Sequence, residues 1–139
     1  MDSAAFEEAL RAMVRTSLQA AETSHDVRVQ EPSLVKLVRL ASSSPGRLAR
    51  ADSLLAELVP SLRETPPPYG LVELLSYCVH TLELPEVLAA AHDCHREALA
   101  ELSRGKSRRP WEHARHCEHV IEAASPDWED REMFESLAE

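Results

Sequence analysis

The sequence predicts an all-α protein of about seven helices in a single domain that spans residues 1–139. Aliphatic side chains recur every three to four residues along most of the chain, which is the period of an α-helix. Prolines stand mainly where these periodic segments open or between them. Alanine and leucine far outnumber glycine and the aromatic residues, which favours helix over sheet. A chain of 139 residues is long enough to bury a continuous core.

The first three helices follow from this apolar period. Residues 2–22 are predicted to form the first helix, and the polar stretch 23–30 to form a loop. Pro32 suits the first turn of a second helix, and Pro45, preceded by a serine cap, suits the first turn of a third that runs to about Leu58. The expected inward residues are Phe6, Leu10, Met13, Val14, Ser17, Ala21, Leu34, Leu37, Val38, Ala41, Leu48, Ala51, Leu55 and Leu58.

The best-defined segment, residues 69–103, is predicted to be a central pair of apolar helices that meet at Pro85. A proline inside a helix removes a hydrogen bond and clashes with the preceding turn, whereas it fits the first turn of a new helix. Ahead of this pair, the Thr-Pro-Pro-Pro stretch at 65–68 predicts a stiff, extended spacer.

A basic loop is expected over residues 104–109. It contains Gly-Lys-Ser, but a phosphate-binding loop is rejected, because Ala100 stands where that motif requires glycine and a helix precedes it. A sixth helix should open at Pro110. A seventh, acidic helix is predicted over residues 126–138, because Ser-Pro precedes a run of carboxylates that suits a helix start.

The motif LLSYCVHTLELPEV resembles the helical pairs of HEAT-like and related α-solenoid proteins. This resemblance implies a stack of helical pairs and carries no functional residues with it. Three pairs and a capping helix would account for the expected number of helices. The architecture expected is therefore a compact HEAT-like or orthogonal helical bundle.

Histidine and cysteine form the one cluster in the sequence that could support chemistry. Six of the seven histidines lie between His80 and His119, together with all three cysteines. Helical spacing places Cys94 and His95 on the inner stripe of the fifth helix and His113 and Cys117 on that of the sixth. If these helices form an antiparallel hairpin, the four side chains nearly face each other and suit tetrahedral zinc. The alternative is reduced core cysteines beside hydrogen-bonded histidines.

The net charge limits the kinds of partner that the protein can bind, and the apolar and charged segments indicate its cellular location. The net charge is −9, which disfavours binding to nucleic acid or anionic lipid. No apolar run is long enough to cross a bilayer, and the N-terminus is acidic where a signal peptide is basic, so we expect a cytoplasmic protein. Arginine far exceeds lysine and alanine is abundant, which suggests a GC-rich bacterial genome.

These features predict a non-enzymatic interaction module, of an adaptor or immunity type, that presents an acidic surface to another protein, possibly a basic one. Residues 110–139 carry nine acidic and two basic side chains. No catalytic constellation is found, and no cofactor is expected; the alternative function is zinc binding by the His/Cys cluster. The basic loop could dock an acidic partner or a second copy of the chain. Candidate partner-binding residues are Arg104, Lys106, Arg108, Arg109, Asp127, Glu129 and Asp130.

Overall fold

The computed structural model describes residues 1–105 and 109–128, and this part of the chain is all-helical, which confirms the predicted class. Six α-helices and two 3₁₀ turns occur in it, without a β-strand in the residues described. The helices are α1 (Ser3–Ser24), α2 (Glu31–Ala41), α3 (Pro45–Ala56), α4 (Leu71–Thr81), α5 (Pro85–Arg104) and α6 (Arg109–Glu122). The 3₁₀ turns are Val27–Gln30 and Val59–Arg63.

Helix starts at proline are largely as predicted. Helices α3 and α5 begin at Pro45 and Pro85, and the Ser44 hydroxyl accepts a hydrogen bond from the Arg47 backbone N–H at 3.2 Å. The stretch 23–30 differs from the predicted loop, because it ends in the Val27–Gln30 turn. The Asp26 carboxylate caps this turn by accepting from the Arg28 backbone N–H at 2.9 Å.

The core runs through all six helices, and most of the predicted inward residues lie in it. Helix α6 packs against α4 and most extensively against α5, while α1 packs against α2, and α3 against α5. The largest fully buried side chains are mainly leucines, as the aliphatic composition leads one to expect: Leu10, Leu34, Leu37, Leu55, Leu62, Leu71, Leu74, Leu75 and Leu84.

The central pair expected over residues 69–103 is arranged differently. Helices α4 and α5 are consecutive, but they have little direct contact, and α6 packs against both. The residues between them are extended at Leu82, and Leu84 is buried in the core. This short connector directs α5 away from α4, so the side-by-side pair implied by the HEAT-like resemblance is replaced by an α5–α6 pair.

A carboxylate from α3 accepts hydrogen bonds from the first turn of α5. Asp52, only 3% exposed, accepts hydrogen bonds from the backbone N–H groups of Glu86 and Val87, both at 2.9 Å. The N-cap residue of α5, Leu84, has no side-chain oxygen to offer. Asp52 therefore supplies from another helix the capping group that the local sequence lacks.

The C-terminal predictions are only partly covered by the described residues. Most of the acidic helix expected over 126–138 lies outside the described residues. Residues 126–128 form a turn and an irregular stretch. Trp128 packs beside His80, with 4.8 Å between the ring centroids. Of the basic loop, Arg104 ends α5 and Arg109 begins α6. Among the helices that the structure describes, none has the length and apolar character needed to cross a membrane.

Candidate functional site

Two cysteines of the predicted zinc cluster contact each other between α5 and α6. Cys94 and Cys117 are buried, and the Cys117 thiol donates a hydrogen bond to the Cys94 sulfur. This bond, assisted by the nearby Arg63 guanidinium, lowers the pKa of Cys94 against the effect of burial. The same bond and burial raise the pKa of Cys117. The pair is therefore a thiol contact inside the core.

The two histidines of the predicted cluster have other partners. His95 Nε2 lies 3.1 Å from Glu118 Oε1, and His113 Nε2 lies 3.2 Å from Thr65 Oγ1. Burial, followed by the Arg63 charge, lowers the pKa of His113. Across residues 1–105 and 109–128, no three His, Cys, Asp or Glu side chains converge as a metal site would require. The structure thus brings together two of the four predicted ligands, and zinc binding stays a prediction.

A groove of about 430 Å³, which the sequence did not predict, opens beside the proline stretch at the start of α4. Its lining combines apolar residues with one carboxylate, two imidazoles and a phenol. The residues are Val27, Pro66, Pro67, Pro68, Tyr69, Gly70, Val72, Glu73, His116 and His119. We refer to it below as the Glu73 groove.

A buried glutamine fixes one end of the Glu73 groove. Gln30, fully buried, donates from Nε2 to the Gly70 carbonyl oxygen and to the Ser17 hydroxyl, both at 3.0 Å. Gly70 has a left-handed φ of 85°, and a Cβ there would lie 2.6 Å from Gln30 Nε2. Only glycine fits this position, so the turn into α4 is held rigidly against the Val27–Gln30 turn.

Glu73 is a partly buried carboxylate in the groove with a raised pKa. Its side chain is half-buried, and burial raises the pKa of its carboxyl group, an effect reduced by its own backbone N–H and by the charge of His116. No described residue forms an ion pair with it. On α6, the Nδ1 atom of His116 is also buried without a hydrogen-bond partner in the described part of the chain. Among the described residues, Glu73 thus has no ion-pair partner and His116 Nδ1 has no hydrogen-bond partner.

Exposed carboxylates without a cationic partner concentrate on the half of the molecule built from residues 64–128, which we call the acidic half. Arg96 and Arg115 of this half, and Arg63 just before it, are already paired with neighbouring carboxylates in the described part of the chain. Arg104, at the end of α5, forms no ion pair with a described residue. The exposed carboxylates left without a described cation are Glu64, Glu83, Glu86, Glu112, Glu122 and Asp127.

The N-terminal half is balanced by comparison. Its exposed carboxylates without a cation in the described residues are Asp2, which caps α1, and Glu8, Glu22 and Glu31. The last three share helices α1 and α2 with exposed, equally unpaired cations. Those cations are Arg15, Lys36 and Arg39. The surplus of negative charge on the described surface therefore belongs to the acidic half.

The predicted partner-binding residues are only partly placed. Arg104 is exposed, and its Nε donates to the Ala100 carbonyl oxygen at 3.1 Å. Asp127 is exposed in the turn after α6. Arg109 opens α6, whereas Lys106, Arg108, Glu129 and Asp130 lie outside the described residues. Comparison with protein-family models, curated sequences and solved structures finds no match to the chain.

Proposed function

We propose that the protein is a non-enzymatic interaction module, of the adaptor or immunity type, that binds a basic partner protein through its acidic half. The observation that carries this proposal is the surplus of exposed carboxylates without a cationic partner on the described residues of the acidic half. A surface of one sign attracts a partner of the opposite sign and accelerates the encounter.

The arrangement of Cys117 and His113 does not favour a Cys–His enzyme. The reactive form of a cysteine is the thiolate, which requires a cationic and partly exposed surrounding. Cys117 is fully buried with a raised pKa, and its helical neighbour His113 bonds to Thr65. The nucleophile and base that a Cys–His enzyme needs are therefore not paired.

A direct test uses labelled peptides rich in lysine and arginine, with glutamine-substituted peptides of equal length as the neutral comparison. We expect the basic peptides alone to bind in fluorescence anisotropy, and the affinity to fall about tenfold between about 0.05 M and about 0.3 M salt, because exposed charges are screened. The variant Glu64→Gln/Glu112→Gln/Glu122→Gln should bind roughly fivefold more weakly.

The matched control removes the same charge from the other half. Glu8→Gln/Glu22→Gln/Glu31→Gln loses three carboxylates from α1 and α2, and we expect it to bind the basic peptides like the unmodified protein. Equal losses in the two triple variants would show that only the net charge matters. Peptide binding that does not change with salt would contradict the proposal.

Zinc binding is the second candidate, and the Cys94–Cys117 contact favours it because two cysteine sulfurs, which zinc binds as thiolates, already lie together. His95 and His113 would have to leave Glu118 and Thr65 to complete the site. If zinc is bound, purified protein should contain one equivalent per chain by mass spectrometry of the metal, and Cys117→Ala should lose it. Protein from zinc-supplemented cultures that lacks stoichiometric metal would end this hypothesis.

A further inference from the structure

We propose that the Glu73 groove binds the side chain of an arginine from the basic partner, with its guanidinium group on the Glu73 carboxylate. This inference rests on the proposed function and names the residue type that one of its sites recognises. The groove lies on α4 and α6, within the acidic half, so a partner drawn to that half meets it.

The Glu73 carboxylate lacks a cationic partner among the described residues. Glu73 is half-buried and forms no ion pair with the described residues, and a carboxylate taken partly out of water without a cation is unfavourable. Among cationic side chains, the guanidinium group satisfies a carboxylate best, because its planar array of N–H donors can form two parallel hydrogen bonds. A bound arginine would supply the ion-pair partner that Glu73 lacks among the described residues.

The proline stretch and Tyr69 form an apolar and partly aromatic side of the groove. Pro66, Pro67 and Pro68 offer an apolar surface on which the aliphatic stem of an arginine can pack. Tyr69 is 44% exposed and lies edge-on to His25, with 6.3 Å between ring centroids. An exposed aromatic ring next to a carboxylate suits a guanidinium group, which stacks on such rings and is weakly hydrated.

The other groups that line the groove favour an organic cation. His116 and His119, both on α6, add hydrogen-bonding nitrogens, and an anion would meet the Glu73 carboxylate. A metal ion would need three converging ligands, and the described residues do not provide such a group here. The volume of about 430 Å³ lies within the range of pockets that bind small ligands.

The experiment uses the full chain and two small probes of nearly equal shape. N-acetyl-arginine amide carries one positive charge, and N-acetyl-citrulline amide replaces the guanidinium group with neutral urea. We expect the arginine probe to shift the backbone amide signals of Gly70, Glu73 and His116 in a saturable way by NMR, with a dissociation constant in the millimolar range. The citrulline probe should cause a response at least about fivefold weaker.

The variants assign the effect to one carboxylate. Glu73→Gln should weaken binding of the arginine probe by about fivefold or more, whereas Glu83→Gln, which removes an exposed carboxylate just after α4, should leave it unchanged. Equal shifts from the two probes, or unchanged binding in Glu73→Gln, would overturn the inference.

We expect Glu73→Gln to stay folded, so that weaker binding of the arginine probe by this variant would not reflect unfolding. Burial raises the pKa of Glu73 above its usual 4.5, so between these two values the folded chain binds more protons than the unfolded chain. Stability therefore falls as the pH rises through that window. We expect Glu73→Gln, which carries no charge, to be at least as stable as the unmodified protein at pH 7 in urea unfolding, and to lose this advantage below pH 4.5.

Failure of this inference is distinguishable from failure of the proposed function. If basic peptides bind with the expected salt dependence but the arginine probe causes no specific shifts, the groove assignment falls and the interaction module stands. If the arginine probe binds while peptide binding is equal in the two triple variants, the acidic surface falls and the groove stands.

Discussion

Replacement of Gly70 by alanine should destabilise the protein by roughly 2–4 kcal/mol, since both backbone strain and overpacking oppose it. Gly70 has a φ of 85°, which L-residues with a Cβ rarely adopt, and the added Cβ would lie 2.6 Å from Gln30 Nε2. Gln30 cannot move aside freely, because it is fully buried and bonded to Ser17 and the Gly70 carbonyl. Urea unfolding followed by circular dichroism measures the loss.

Gly46 provides the matched control. It lies in the first turn of α3, and nothing is within 4 Å of the position that its Cβ would occupy. Gly46→Ala should therefore leave the free energy of unfolding unchanged or raise it by up to about 1 kcal/mol, the usual gain for this substitution in a helix. Equal effects of the two substitutions would refute the described contact between Gln30 and Gly70.

Asp52→Ala should cost a similar amount, roughly 2–4 kcal/mol, because it leaves two backbone N–H groups of α5 without acceptors. The Asp52 carboxylate also places negative charge at the start of α5, where the helix dipole favours it. We expect faster hydrogen exchange at the amides of Glu86 and Val87 as a local signature, together with a lower urea midpoint.

Two further variants separate the cap from general effects of removing a carboxylate. Asp2 caps α1 from an exposed position, accepting from the Ala5 backbone N–H at 2.8 Å, so Asp2→Ala should cost only about 1 kcal/mol. Asp52→Asn keeps one oxygen acceptor and should fall between the unmodified protein and Asp52→Ala. If Asp52→Ala unfolds at the same urea concentration as Asp2→Ala, the cap across helices is not a major source of stability.

The helices were predictable because their signals are local. Pro45 and Pro85 mark helix starts, and the spacing of Phe6, Leu10 and Val14 marks a buried stripe that the structure places in the core. The Val27–Gln30 turn was missed because four residues are too few to display a helical period. Of the predicted seventh helix, residues 129–138 lie outside the described chain.

The packing partners of the helices were not predictable in the same way. Which helices pack together depends on connectors such as Leu82–Leu84, and periodicity carries no information about their direction. The Cys94–Cys117 contact follows from two inner stripes on an antiparallel pair, as expected. His95 and His113 diverge from it because Glu118 and Thr65, which no local pattern connects with them, are nearer partners.

The Glu73 groove illustrates the same limit. The sequence predicts a spacer at residues 66–68. Only the folded chain shows that these prolines line one groove together with His116 and His119 of α6. Tyr69, a large aromatic residue after a proline run, was the available signal. A tyrosine that remains 44% exposed is recognisable as such only when its neighbours are known.

The carboxylate that caps α5 comes from a residue 34 positions earlier in the chain. The connector between these two sites includes Glu64, Thr65 and Pro66, which are exposed and accessible to a protease or to genetic splitting. A later fragment cut there would lack the Asp52 acceptor for the first turn of α5 until the earlier fragment returned. We therefore expect the two fragments, when mixed, to recover the fold of α5 only by reassembling.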